Sequence, residues 1–191
     1  MIIYSDLDGE IQYIENFIES PEELIKNLQN EVVFETENIM MFGKSVTVPR
    51  LIAWHGDEGI RYRYSGTDHL TKAWTPTLLK MRDTITKKLN LNFNAVLLNY
   101  YRDGHDYMSW HSDDEKEMGK NPNIVSISLG EDRIFEFKRK KETKPHLSID
   151  LKSGSALIMR GALQEHFHHR LKKMPKRLGL RINLTFRLIK L

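Results

Sequence analysis

The sequence predicts an α+β protein in which helices come first and sheets follow. Three observations carry this. Two helix starts fall before residue 80, and roughly six to eight strand-like segments then follow with short turns. The last eleven residues, RINLTFRLIKL, begin by alternating polar and apolar residues in twos. That order fits sheets forming a sandwich or open barrel with helices on one side.

Each element has its local reason. Ser20-Pro21-Glu22-Glu23 combines a capping residue, proline at the first helical position and a capping-box glutamate, so a helix is predicted through Leu24, Ile25 and Leu28. IMMFGKSVTVPR reads as a hairpin turning near Gly43-Lys44. A second helix starts at Thr75-Pro76, with Trp74 expected to staple onto Leu79, and runs through Leu78, Met81, Ile85 and Leu89. FNAVLLNYY then reads as a strand, and NIVSISLGEDRIFEFKRK as two strands joined around Gly130-Glu131-Asp132. HLSIDL alternates, Lys152-Ser153-Gly154-Ser155 turns, ALIM resumes, and RINLTFRLI closes the chain.

At 191 residues, with no repeat, low-complexity tract or Pro/Gly-rich linker, the chain is expected to form one domain. No apolar run is long enough to cross a membrane as a helix. MIIYSDLDGEIQYIENF carries acids early and lacks the basic-then-apolar order of a secretory leader. There is no cysteine, which excludes disulfides and thiolate metal sites, so any metal site must use His, Asp or Glu. The expected setting is intracellular: the nucleus in a eukaryote, the cytoplasm in a bacterium. The formal charge is only +3, but KRKK (138–141) and RLKKMPKR (170–177) are local basic runs that suit a phosphate-bearing partner.

The last strand raises a question of burial. Ile182, Leu184, Phe186 and Leu188 share one face; Arg181, Asn183, Thr185 and Arg187 share the other. The polar face could meet water, as antiparallel sheets often do. It could equally meet a buried anion, for which paired guanidiniums are suited.

His111-Ser112-Asp113 helps to choose. Positions i and i+2 of an extended segment point the same way, so an imidazole and a carboxylate converge, giving two thirds of a 2-His-1-carboxylate iron site. EHFHHR offers His166, His168 and His169 as the distal histidine, between the ALIM strand and the last one. Two arginines beyond it would dock a dicarboxylate beside the metal.

Taken together, VPRLIAWHGDEGIRYRYSG, LLNYYRDGHDYMSWHSDDE, IVSISLG, GSALIMRGALQEHFHHRL and RINLTFR resemble the AlkB family of iron(II)- and 2-oxoglutarate-dependent dioxygenases, in its eukaryotic-type, DNA-repairing branch. The resemblance runs from Phe34 onward. It implies a double-stranded β-helix, or jelly roll, with N-terminal helices packed on one sheet. It also implies a nucleotide-recognition region over 34–70 and a catalytic core over 92–191. His111, Asp113 and His169 become the iron ligands, and Arg181 the holder of the distal carboxylate of 2-oxoglutarate. Asn183, Thr185, Arg187, Asn99 and Tyr101 line the same cosubstrate, and O2 is the second one. For substrate, Glu115 is the acid expected at the extruded base and Phe42 the apolar wedge that fills its gap. Trp54 or His55 forms the aromatic wall; His55 stands where such proteins usually have tyrosine. The implied activity is oxidative removal of alkyl groups from 1-methyladenine and 3-methylcytosine. The expected partner is alkylated DNA, duplex or single strand, with RNA a further candidate, met by a monomer. A same-fold oxygenase acting on protein and a non-catalytic binding module are the rival readings.

Overall fold

A computed structural model describes residues 1–41, 43–64, 67–177 and 179–190. Its N-terminal part holds β1 (Ile2–Asp6), β2 (Gly9–Ile14), helix α1 (Pro21–Glu31), a hairpin of β3 (Glu35–Met41) and β4 (Lys44–Gly56), a small hairpin of β5 (Arg61–Tyr64) and β6 (Thr67–Leu70), and helix α2 (Pro76–Leu89). Eight strands follow: β7 (Ala95–Tyr101), β8 (Met108–His111), β9 (Ile124–Gly130), β10 (Arg133–Arg139), β11 (Leu147–Leu151), β12 (Ser155–Arg160), β13 (Phe167–Leu171) and β14 (Arg181–Arg187). A short helix, α3 (Leu163–His166), leads directly into β13.

These last eight strands divide between two sheets. β7, β9, β12 and β14 join β1–β4 in an eight-stranded sheet of order β1-β2-β12-β9-β14-β7-β4-β3, while β8, β10, β11 and β13 form a four-stranded sheet of order β11-β10-β13-β8. The facing sheets make the expected jelly roll. Phe137, Ile149, Leu151 and Phe167 of the smaller sheet meet Leu97, Ile124, Leu157 and Met159 of the larger one between them.

The outer face of the large sheet carries the helices. Leu28 of α1 and Leu78, Met81 and Ile85 of α2 pack with Ala53, Val96, Leu98, Val125, Ile182, Leu184 and Phe186. Burying each such side chain contributes about 1.5–3 kcal/mol. Thr75 caps α2 as predicted, its hydroxyl accepting from the Leu78 amide at 3.3 Å.

Two local expectations are corrected, and one pair of strands was not anticipated. Ser20 stands at the N-cap of α1 without a side-chain capping bond. Trp74 does not staple onto Leu79, which stays exposed. Its ring stacks at 6.4 Å on Phe186, and its Nε1–H donates to Asp57 at 2.7 Å, because the sheet offers a larger flat surface than one leucine does. The first fourteen residues, given no element by sequence, form β1 and β2, and β2 extends the large sheet by pairing with β12.

Candidate metal and cosubstrate site

The last strand is central, hydrogen-bonded to β7 on one side and β9 on the other. Every residue from Arg181 to Arg187 is buried. Its apolar residues Ile182, Leu184 and Phe186 face the helices, and Arg181, Asn183, Thr185 and Arg187 face the cleft between the sheets. Of the two readings of that polar face, water is therefore excluded. Asn99 and Tyr101 of β7 line the same cleft from the neighbouring strand.

The smaller sheet brings in the ligand set. His111 at the end of β8 is the direct partner of His169 on β13, which sets their rings 4.2 Å apart. Asp113 follows β8 by two residues. One possible ligand atom from each of His111, Asp113 and His169 lies within 4.8 Å of the others. His166 and His168, the other candidates, lie apart. His166 faces Asp8 at 3.5 Å, and His168 pairs across the sheet with Lys138.

The donor chemistry suits a divalent iron. The Nδ1–H of His111 donates to the Ser109 carbonyl at 2.9 Å, so its Nε2 presents a lone pair, 3.8 Å from Asp113 Oδ1. Burial, together with the neighbouring His111, pulls His169 down to about 3, and burial lowers His111 too, so both imidazoles are neutral. Burial alone would push Asp113 up. The Arg187 guanidinium, the largest opposing influence, outweighs it and the carboxyl is held at about 2. Arg187 Nη2 donates to Asp113 Oδ1 at 2.9 Å, with both side chains 2% exposed. Two neutral imidazoles and one carboxylate form the facial donor set of non-haem iron(II) sites.

Beside this set lies a place for an anion. Arg181 is 2% exposed and donates from Nη2 to Ser128 Oγ at 2.9 Å, and its Nε has no hydrogen-bond partner among the described residues. It lies over the Tyr101 ring at 5.3 Å, and burial pulls its guanidinium down to about 10. A buried guanidinium so sparsely satisfied fits a ligand carboxylate. Asn183 donates to Ser126 Oγ at 2.7 Å and accepts from Thr185 Oγ1 at 3.0 Å.

The residues expected at the substrate separate. Trp54 of β4 pairs with Leu97 and shares its inward face, with the Arg187 guanidinium 5.5 Å from its ring centre. His55, next in the strand, falls on the opposite face. It pairs with Val96 towards the helices, donates from Nδ1 to the Ala73 carbonyl at 2.6 Å, and is 4% exposed. Period-two alternation thus removes His55 from the aromatic wall of the site. Glu115 is half-buried at the start of a short 3₁₀ turn, two residues past Asp113. Phe42 lies outside the described residues.

Two buried side chains were missed by sequence. Arg50 donates from Nε to Asn99 Oδ1 at 2.7 Å and adds positive charge near His111. Its signal was its phase: it falls in step with Ile52 and Trp54 along β4. Gln164 of α3 accepts from the Asp113 amide at 3.0 Å and donates to Met159 Sδ at 3.5 Å. Nothing local marked Gln164, because its partners are distant in sequence.

Fold and site together define a class. Residues 10–187 match the model of the 2OG-Fe(II) oxygenase superfamily, and the chain belongs to that superfamily, whose Fe(II), 2-oxoglutarate and O2 suit this donor set. Within it, the chain falls in the AlkB family. It is 36% identical over 178 residues to the DNA oxidative demethylase ALKBH2 of Bos taurus, covering 88% of this chain and 64% of that one. The Mus musculus ALKBH2 is 35% identical, over 88% of this chain and 74% of its own length. The alpha-ketoglutarate-dependent dioxygenase alkB homolog 3 of Bos taurus is 38% identical over 74% of this chain and 52% of its own. The chain thus spans about two thirds or less of the bovine relatives' length. The solved structure of OsALKBH1 superposes with a TM-score of 0.68 at 16% identity, over 96% of this chain and 99% of that one, which supports the fold.

Proposed function

We propose that this chain oxidatively dealkylates bases such as 1-methyladenine and 3-methylcytosine in DNA. The observation that carries the reading is the convergence of His111, Asp113 and His169 beside an under-satisfied buried Arg181. The relatives named DNA oxidative demethylase direct it to a base substrate. One catalytic domain would span 1–191, with 34–70 recognising the nucleotide.

His111, Asp113 and His169 would hold the iron, and Arg181 would grip the far carboxylate of 2-oxoglutarate. Bound there, iron with 2-oxoglutarate and O2 supplies the oxygen that hydroxylates the alkyl carbon, and 2-oxoglutarate leaves as succinate and CO2. The resulting N–CH2OH group breaks its N–C bond to give formaldehyde and the restored base. The chain's own part is geometric and electrostatic. Arg187 keeps Asp113 ionised and fixes its orientation, and Ser109 fixes the His111 tautomer. Asn99, held by Arg50, and Asn183, held by Ser126 and Thr185, keep their amides oriented at the cosubstrate wall. Trp54 is supported over His55 as the aromatic neighbour of an extruded base, with Glu115, two residues past Asp113, as the acid that meets it.

Formaldehyde release from oligonucleotides carrying 1-methyladenine, with and without iron and 2-oxoglutarate, tests this. Methylated duplex, single strand and RNA are compared in parallel. Release that depends on both additions supports the reading, and none from any substrate refutes it. His111→Ala must abolish succinate formation; wild-type succinate from that variant would remove His111 from the ligand set.

A further inference from the structure

A buried arginine outside the proposed ligand set stands behind the cosubstrate wall. Arg133 opens β10, in step with Phe135 of the cleft and Phe137 of the core, and is fully buried. Its Nη1 donates to the Asp103 carbonyl at 3.1 Å, and its Nη2 to the Asp106 and Lys172 carbonyls at 2.8 and 2.7 Å. Those three residues stand one or two positions from Tyr101, Met108 and Leu171, whose side chains line the cleft. The guanidinium thus fastens β10 to the segments after β7 and β13, and the carbonyls hold it in one place. Among the described residues no carboxylate pairs with it. The acids whose fields reach it are engaged elsewhere: Asp106 accepts from Arg102 Nε and Nη2 at 2.8 Å each, Glu131 from Arg177 at 3.2 Å, and Asp103 from the His105 amide at 2.7 Å.

The charge of Arg133 falls instead beside Arg181. The two guanidinium carbons lie 5.9 and 5.3 Å from the centre of one ring, that of Tyr101. After burial, the Arg133 charge is the other influence that pulls the Arg181 guanidinium down. Two like charges kept together in a buried wall cost stability until an anion joins them. We infer that Arg133 is a positioning residue for the cosubstrate: acting through Tyr101 and Arg181, its fixed charge makes the far end of the cleft select a second carboxylate over an uncharged group. The inference rests on the reading of Arg181 as the grip on 2-oxoglutarate and adds a cation behind it. Arg181 supplies the hydrogen bonds, and Arg133 adds attraction without contact. A unit charge about 10 Å away, in an effective dielectric of about 20, changes the affinity of an anion roughly tenfold and that of a neutral group hardly at all.

The test titrates two keto acids into the full chain loaded with Mn(II) in place of iron, read by isothermal calorimetry. 2-Oxoglutarate is compared with 2-oxopentanoate, which has the same metal-chelating end and a methyl group in place of the far carboxylate. In Arg133→Met the preference for 2-oxoglutarate should fall roughly tenfold, through weaker 2-oxoglutarate binding alone. Arg133→Gln keeps an amide to donate to the carbonyls, should lose the same preference, and serves if the methionine variant fails to fold. Arg133→Lys keeps the cation and brings three donors for three carbonyls, so it should retain the wild-type preference to within about threefold. A merely structural arginine would lower the melting temperature in all three variants and leave the ratio of the two affinities alone. The proposal is overturned if Arg133→Met or Arg133→Gln keeps the wild-type ratio, or if Arg133→Lys loses it as completely as they do. A wild type that does not distinguish the two acids would sink the Arg181 reading, and this inference with it. Because no base is present, none of these results depends on demethylation.

Discussion

Arg181 shows a single residue held against the interest of the fold. Its guanidinium is buried, has no acidic partner among the described residues and leaves Nε without a hydrogen bond. Arg181→Met should therefore raise the melting temperature of the metal-free protein, since it removes a poorly compensated buried charge. The same change should raise KM for 2-oxoglutarate roughly tenfold to 150-fold, the worth of about 1.5–3 kcal/mol for a hydrogen bond to a charged group. Succinate kinetics and a melting curve together check it; a lower melting temperature with unchanged KM would make Arg181 structural. His55 carries a second residue-scale prediction. Burial lowers its pKa below the ordinary 6.5, so the unfolded chain takes up a proton that the folded one refuses. Its contribution is complete above pH 6.5 and lost as pH falls below that, with a limiting slope of about 1.4 kcal/mol per pH unit. His55→Asn keeps a donor for the Ala73 carbonyl and should flatten the acid limb of a urea-midpoint series relative to wild type.

Among elements, turns and caps decide how the site is held. Gly104 donates its N–H to the Arg177 carbonyl at 2.7 Å and accepts from the Met174 amide at 2.8 Å, which ties the loop after β7 to the basic segment before β14. A β-carbon there would sit 1.8 Å from the Met174 carbonyl oxygen. Gly104→Ala should cost about 1–3 kcal/mol and expose Lys172, Lys173 and Lys176 to trypsin, read as a lower urea midpoint and faster cleavage. Thr75→Ala should cost about 1 kcal/mol through loss of the α2 cap, with turnover unchanged. Elements with a local signature were legible. Thr75-Pro76 starts α2, and Gly154, at φ +78°, turns between β11 and β12 in the predicted KSGS segment. The strands β1 and β2 were not legible, because what holds β2 is its pairing with β12, far along the chain. The Trp74 contact failed for the same reason: Phe186 is distant in sequence.

For the whole molecule, the jelly roll brings together ligands from the segment after β8 and from β13. A ligand that binds the folded state alone stabilises it in proportion to its occupancy. Iron(II) under nitrogen, with 2-oxoglutarate, should therefore raise the melting temperature of the wild type. Asp113→Ala should abolish that rise and also destabilise the metal-free protein by about 3–5 kcal/mol, because a buried ion pair loses one partner. A metal-dependent shift surviving in Asp113→Ala would exclude the carboxylate from the metal site.

The sequence alone determined the alternation of RINLTFR, the shared direction of His111 and Asp113, the main strand run and the cap of α2, since each depends on neighbours within a few residues. Tertiary structure decided that both faces of that last strand are buried, that His169 meets the other two donors while His166 and His168 do not, and that Trp54 rather than His55 looks inward. It also supplied Arg50 and Gln164. These are matters of sheet order and register, fixed by pairings between residues dozens of positions apart, and local periodicity holds no record of them.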